Sequence, residues 1–347
     1  MRRLLIVLLL CGLAPGMWVR SRNPPPNHDQ AITVKALPLA LGCCMLGPFR
    51  LEAAWQLTSR NSDFGSYSGL VRIAPGRLKA FSDRGHFLDF LDPMPAVGTV
   101  QSEAIIGSIF AEQGKSRKNR DVEAATFDPV SRRLWLALEG SNLITRHGAD
   151  LGRQALSAPA AMHFWPPNKG PEAMVRLRDG RFIVLAEAFP DWLDHSHHAG
   201  LLFPDDPAEG AVPQGFSFGG PEGYRPTDMA QLPDGRVLVV MRRLLWPFPV
   251  RASARIVLAD PAQIKPNGLW QSTELASLTS PQPVDNFEAI AIDQARDGKI
   301  IVWLMSDDNR AASQRTLLWR MTLDPALLPP RSDKQKAHDQ LARPAIL

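Results

Sequence analysis

The feature that most constrains the fold is a hairpin pattern that recurs along the chain. Each copy has a small residue or proline, a polar or acidic position, an apolar strand, a tight turn and a second apolar strand. Asp-Gly turns favour hairpins because glycine readily adopts the positive φ that tight turns need. A single hairpin cannot bury its apolar face, so the copies must pack against one another. The copies begin at Ser68-Gly69, Asp121–Ala124, Pro171–Ala173, Pro226–Asp228 and Asn286–Ala289.

The spacing of these copies predicts the architecture. The position near the start of each copy that is most often acidic recurs at intervals of 54, 49, 56 and 60 residues. Its occupants are Gly69, Glu123, Glu172, Asp228 and Glu288. Such an interval holds one four-stranded blade with its loops. We therefore predict an all-β fold, a β-propeller with five or six four-stranded blades, in which residues 49–57 complete the last blade. A β-sandwich or an open solenoid is the structural alternative.

The ends of the chain differ from the repeats in composition. Two arginines precede an apolar run over residues 4–13, which is typical of a secretory signal and short for a bilayer span. Residues 1–20 are interpreted as a signal peptide or an uncleaved N-terminal anchor, with a buried element of the domain as the alternative. Residues 21–48 are predicted to be a linker, 49–328 the propeller domain and 329–347 a polar tail. The protein is therefore expected to be exported, either periplasmic or secreted.

Charge and motifs argue against several classes of protein. The net charge is +4 and the basic residues are scattered, whereas nucleic-acid-binding proteins usually carry a basic stripe. The sequence contains neither a P-loop nor a dinucleotide fingerprint. Three cysteines, two of them adjacent, allow no disulfide framework. We expect no nucleic-acid partner, and membrane contact only through an uncleaved N-terminal segment.

The hairpins are predicted to gather acidic side chains. In an antiparallel hairpin the start of the first strand and the end of the second lie side by side, and in a propeller these ends share one face. The acids expected on this rim are Asp83, Glu123, Glu139, Glu172, Glu187, Asp228, Glu288, Asp307 and Asp308. So many carboxylates repel one another unless cations or basic side chains neutralise them.

Three interpretations of the rim remain open. Clustered carboxylates suit Ca²⁺, which accepts six to eight oxygen ligands. Alternatively, basic residues interleaved with the acids would suit a phosphate or phosphate–metal ligand, and the candidates are Arg84, Lys169, Arg242, Arg243 and Arg310. In a purely structural role, each acid would accept hydrogen bonds from backbone amides of the neighbouring blade.

Several motifs occur in order between about Trp55 and Leu323. They are Phe64–Leu70, Ala80–Gly85, Asp121–Ala124, Pro171–Met174, Tyr224–Asp228, Val284–Ala289 and Ser306–Asn309. In these motifs the chain resembles the bacterial phytase-like domain, whose members are often labelled as having esterase-like activity of the phytase family. The resemblance implies a propeller and export from the cytoplasm.

The leading functional hypothesis is a Ca²⁺-dependent hydrolase that acts outside the cytoplasm on a small-molecule ester or phosphoester. Its predicted residues are Glu172 and Glu288 in catalysis, Asp83, Glu123, Asp228 and Asp307 in metal binding, and Arg84, Lys169 and Arg243 in substrate binding. The alternative is a non-catalytic periplasmic propeller that binds a ligand or protein partner with the same rim. A propeller fold alone does not decide between the two hypotheses.

Overall fold

A computed structural model describes residues 25–39, 45–93, 97–110, 120–166, 169–189, 194–245, 251–295, 297–311 and 313–331. The predicted signal or anchor over residues 1–20 lies outside these ranges, as does most of the predicted tail, so both remain predictions. In the described ranges, the helices are single 3₁₀ turns: Glu139–Ser141, Ala160–Met162, Pro207–Glu209, Pro261–Gln263 and Pro325–Leu327. None of them is long and apolar enough to cross a membrane.

Three strands precede the repeats. They are β1 (Ala31–Ala36), β2 (Met45–Leu46) and β3 (Phe49–Ser59). Blade 1 consists of β4 (Tyr67–Ala74), β5 (Arg77–Ser82), β6 (His86–Leu91) and β7 (Thr99–Ser108). Blade 2 consists of β8 (Val122–Asp128), β9 (Arg133–Leu138), β10 (Leu143–His147) and β11 (Arg153–Ser157).

Blades 3 to 5 follow in the same way. Blade 3 consists of β12 (Pro171–Arg176), β13 (Phe182–Ala186), β14 (His197–Phe203) and β15 (Gln214–Gly219). Blade 4 consists of β16 (Arg225–Gln231), β17 (Val237–Leu245), β18 (Arg251–Ala259) and β20 (Thr273–Leu278). The short strand β19 (Leu269–Gln271) pairs in parallel with β15 and extends the sheet of blade 3. Blade 5 consists of β21 (Phe287–Gln294), β22 (Ile300–Ser306), β23 (Thr316–Leu323) and β3.

The ring is closed by a strand from the N-terminal part of the chain. β3 pairs antiparallel with β23, from Phe49 opposite Leu323 to Leu57 opposite Thr316, which confirms that residues 49–57 complete the last blade. The inner strands β4, β8, β12, β16 and β21 contact one another in a closed cycle. The described residues therefore form five blades, within the predicted range of five or six.

The predicted linker over residues 21–48 contains part of the propeller. β1 pairs with β3 on one side and with β7 on the other, so it joins blade 5 to blade 1. Ile32 and Val34 alternate with more exposed residues and are 1% and 5% exposed. A proline-rich stretch precedes this short strand, and this composition hid it in the sequence.

Apolar side chains fill the interfaces between blades. Along each strand, alternate residues face opposite sides of the sheet, so a blade in a ring buries both faces. Five clusters of buried residues correspond to the five interfaces between blades. Between blades 4 and 5, for example, Val240 and Ile256 pack in one cluster with Trp319. The predicted hairpin turns are present, with Gly180, Gly235 and Gly298 at φ of +96°, +93° and +83°.

Candidate functional site

A β-bulge occurs near the start of every inner strand. In β8 the pairing with β9 shifts between Val122 and Ala124, which leaves Glu123 without a direct partner. The equivalent residues of the five blades are Ser68, Glu123, Glu172, Thr227 and Glu288. A bulge bends the strand and re-aims its side chains, and bulges are frequent beside active sites.

This register corrects the sequence alignment by one residue in two blades. Gly69 and Asp228 were aligned with the glutamates, but Ser68 and Thr227 occupy the equivalent bulge positions. Gly69 and Asp228 instead match the small residue that follows each glutamate. Because a shift of one residue turns a side chain to the other face of a strand, Asp228 points elsewhere.

Asp228 links blade 4 to blade 5. Its side chain is fully buried and accepts hydrogen bonds from the backbone N–H groups of Met229, at 2.8 Å, and Ile290, at 2.9 Å. Burial raises the pKa of Asp228 well above its ordinary value, against the opposing effect of these two bonds. This is the structural role described above as an alternative, and we leave Asp228 out of the candidate metal site.

Asp228→Ala is therefore expected to lower the free energy of unfolding by about 1–3 kcal/mol, because a buried N–H loses its acceptor. Urea unfolding measures this change, and Asp228→Asn, which keeps one acceptor oxygen, is the milder control. Neither substitution should alter the response of the melting temperature to Ca²⁺. Loss of that response would return Asp228 to the metal site.

The other acids of blades 2 and 3 converge at the end of the ring where the bulges lie. Oxygens of Asp121, Glu123 and Glu139 lie within 4.8 Å of one another, and so do oxygens of Glu139, Glu172 and Glu187. Glu139 belongs to both groups, follows β9, and accepts a hydrogen bond from the backbone N–H of Gly170 at 3.1 Å. We call these five residues the acid cluster. The sequence placed four of them on the rim and overlooked Asp121.

Burial and mutual repulsion disfavour the ionised forms of three of these acids, Glu123, Glu139 and Glu172. Burial raises the pKa of Glu139 to about 7, partly opposed by a side-chain hydrogen bond with Glu172. The pKa of Glu172 is raised well above its ordinary value by burial and then by Glu123, Glu187 and Glu139. Burial, followed by repulsion from Asp83 and Glu288, likewise raises the pKa of Glu123. A hydrogen bond between two carboxyl groups requires a proton, so the cluster holds protons unless a cation replaces them.

The acids of blade 5 border the cluster, and an arginine neutralises part of the rim. Arg242 of β17 donates to Oε1 of Glu288 at 2.6 Å and to Oε1 of Glu187 at 3.2 Å. Asn286 donates to the same Glu288 oxygen at 2.6 Å. Arg225 lies 3.0 Å from Oε2 of Glu187. Glu187 and Glu288 thus have arginine partners, and Arg225 is one that sequence reasoning missed.

Asp83 and Asp307 lie close to these acids. Burial and then repulsion from Glu288 and Asp83 raise the pKa of Asp307 well above its ordinary value. Asp307 also accepts the backbone N–H of Asn309 at 2.7 Å. Asp308, in contrast, accepts hydrogen bonds from the backbone N–H groups of Ser66 and Arg310 and from the Thr316 hydroxyl. It therefore helps to hold the connection between β22 and β23, near whose start it lies.

The predicted substrate-binding cations differ in how far they are buried. Lys169 and Arg243 are exposed, and Arg243 lies over the ring of Tyr224 at 5.4 Å. Arg84 is half-buried, and its backbone N–H donates to the Ser82 hydroxyl at 3.1 Å. Their assignment to substrate stays a prediction from the sequence.

The donor set of the acid cluster suits a hard divalent cation. All the ligand atoms are carboxylate oxygens, which Ca²⁺ and Mg²⁺ prefer, and softer metals favour nitrogen or sulfur. The shared position of Glu139 places five carboxylates around a small volume. A cation there would replace the protons that the repelling acids otherwise retain.

The chain matches a known protein family over most of its length. The family model for phytase-like proteins, described as esterase-like activity of phytase, matches residues 62–310. No curated protein matches the chain.

Among solved structures, a gluconolactonase from Xanthomonas campestris is 16% identical with a TM-score of 0.41, covering 88% of this chain and 99% of that one. A GH43 β-1,3-galactosidase is 10% identical with a TM-score of 0.48, at coverages of 77% and 93%. Hydrazine synthase from Kuenenia stuttgartiensis is 12% identical with a TM-score of 0.37, covering 71% of this chain and only 58% of that one. These similarities concern the fold and identify no function.

Proposed function

Because the chain belongs to the phytase-like family, we propose that it is a metal-dependent hydrolase of small-molecule esters or phosphoesters. The observation that carries this proposal is the acid cluster, in which two overlapping groups of three carboxylates share Glu139. Ca²⁺ is the cation that we propose, because it tolerates many oxygen ligands in flexible geometry.

The most buried group, Glu139, Glu172 and Glu187, is assigned to holding the cation. When bound, the cation would neutralise these carboxylates and polarise the carbonyl or phosphoryl oxygen of the ester. This assignment moves Glu172 from the predicted catalytic role to the metal site. Arg242 and Arg225 hold Glu187 in place from the other side.

Glu123 is assigned to proton transfer. It is half-buried and lies beside Glu139, and burial raises its pKa above the ordinary value, as in many carboxyl groups that transfer protons in catalysis. Glu123 would accept a proton from the attacking water as the new bond to carbon or phosphorus forms. The same proton would pass to the departing alcohol oxygen as its bond breaks. Arg225 contacts Glu187 of the acid cluster and its side chain is 32% exposed, so we assign it to donating hydrogen bonds to oxygens of the substrate.

Calcium and ester assays together test this proposal. Ca²⁺ at about 100 times its dissociation constant is expected to add about 2.7 kcal/mol to the free energy of unfolding, seen as a higher melting temperature than in EDTA. p-Nitrophenyl acetate or p-nitrophenyl phosphate should be hydrolysed in Ca²⁺. Glu172→Gln should lose the calcium response and reduce turnover more than tenfold, because it removes one charged ligand.

Glu52→Gln is the matched control, since Glu52 is an exposed glutamate of β3 that pairs with Arg320. It should retain both the calcium response and turnover. A calcium response without turnover on either ester would contradict a hydrolase and favour the non-catalytic binding protein. Turnover that EDTA leaves unchanged would contradict metal dependence.

A further inference from the structure

A cavity opens at the end of the ring opposite the acid cluster. Its volume is about 950 Å³, and every blade contributes the later part of its inner strand. The contributing segments include Leu70–Pro75, Ala125–Val130, Val175–Arg176, Met229–Gln231 and Ile290–Gln294. Small-molecule sites in proteins are typically concave and have volumes of roughly 300–1,000 Å³, so this cavity has the size of a ligand site.

The wall of the cavity is mainly apolar. Ile73, Phe127 and Ile292 line the cavity and are half-buried, so each keeps part of its apolar surface exposed. At the lip, Val130 is 91% exposed in the turn between β8 and β9. Apolar surface that stays in contact with water gains free energy when an apolar ligand covers it.

Positive charge surrounds this opening. Arg132 and Arg178 line the cavity, are exposed, and have no acidic partner among the residues that the structure describes. In the part of the chain that the structure describes, the Arg178 guanidinium donates to the backbone oxygen of Pro233, at 2.6 Å. Arg176 lies 3.6 Å from Asp128, whose oxygens already accept hydrogen bonds from Ser131 and from the backbone of Val130. The lip therefore carries two exposed cationic groups, Arg132 and Arg178, that lack an acidic partner in the described part of the chain.

We propose that this cavity binds an amphipathic anion, a molecule with an apolar body and a carboxylate or phosphate head. The body would lie against Ile73, Phe127 and Ile292, and the head would accept hydrogen bonds from Arg132 and Arg178 at the lip. Arginine suits both heads because its planar fork can donate two parallel hydrogen bonds. The site is separate from the acid cluster, so the inference does not depend on the proposed hydrolase.

Calorimetric titration of the full chain with octanoate, octyl phosphate and octanol tests this site. These probes share one apolar tail and differ in the head, so either anion is expected to bind at least tenfold more tightly than the neutral alcohol. Tighter binding of octanoate than of octyl phosphate, or the reverse, identifies which head the site prefers. Equal binding of all three, or no binding of either anion, would overturn the proposal.

Two sets of variants locate the site. Arg132→Gln combined with Arg178→Gln should weaken anion binding at least tenfold. Val130→Asp should have the same effect, because it places a negative charge, of the same sign as the ligand head, on an exposed residue of the lip. The charge-matched control is Arg50→Gln with Arg153→Gln, two exposed arginines that do not line the cavity. Unchanged anion binding in both lip variants, or equal weakening in the control, would contradict this location.

Discussion

Replacing Arg242 with methionine is expected to lower the free energy of unfolding by about 3–5 kcal/mol. The substitution keeps an unbranched side chain but removes the charge that contacts Glu187 and Glu288, which are 8% and 7% exposed. Two buried carboxylates would then lose a compensating charge, and breaking a buried ion pair from one side typically costs this much.

Urea unfolding at neutral pH in EDTA measures the effect. Arg320→Met is the matched control, because Arg320 pairs with the exposed Glu52 and an exposed pair contributes about 0–1 kcal/mol. Adding Glu288→Gln to Arg242→Met should recover part of the loss, since the charge of Glu288 is then removed, whereas Glu187 keeps Arg225 as its partner at 3.0 Å. Equal small losses for Arg242→Met and Arg320→Met would show that Arg242 does not neutralise the rim.

The free energy of unfolding in EDTA is expected to fall as pH rises from 6.5 to 8.5. The pKa of Glu139 is about 7 in the folded protein against an ordinary value of 4.5, and the pKa of Glu172 is raised further. The folded state therefore binds protons that the unfolded state has released, so stability is greatest at low pH and is lost as pH rises through the folded pKa. Each carboxyl lowers stability by about 1.4 kcal/mol per pH unit while it is protonated only in the folded state. Glu139 is largely ionised above its pKa of about 7 and contributes about 1 kcal/mol over this range, and Glu172 adds to the fall.

The chosen range limits opposing contributions from histidine. Burial lowers the pKa of His86, His147 and His198, which favours the folded state as pH rises. Each adds up to about 0.4 kcal/mol above pH 6.5, because half of the unfolded imidazoles are still protonated at that pH. Saturating Ca²⁺ should remove most of the fall, because the cation stabilises the ionised cluster. Asp228 has a raised pKa outside the cluster, so its share should remain. A free energy independent of pH in EDTA would contradict the protonated cluster.

The convergence of the acids was predictable, but their individual roles were only partly so. A hairpin brings the residue that opens one strand close to the residue that ends the next, which is why Glu139 and Glu172 could be placed on one rim. Asp121 stands two residues before Glu123 in the same motif, and this spacing was the available signal for it. The sequence offered Arg242 as one of the basic residues interleaved with the acids, but it did not indicate which acids Arg242 contacts, namely Glu187 and Glu288 in the two neighbouring blades.

The sequence by itself determined the all-β propeller, the hairpin turns and the closure by residues 49–57, because periodic apolar strands and turn residues are local signals. Tertiary structure decided the bulge at the start of each inner strand, and with it the one-residue shift that turns Asp228 away from Glu123 and Glu172. It also decided that β1 belongs to the ring. Register and pairing depend on which strands meet, and the free energy of that choice comes from packing between residues far apart in the chain.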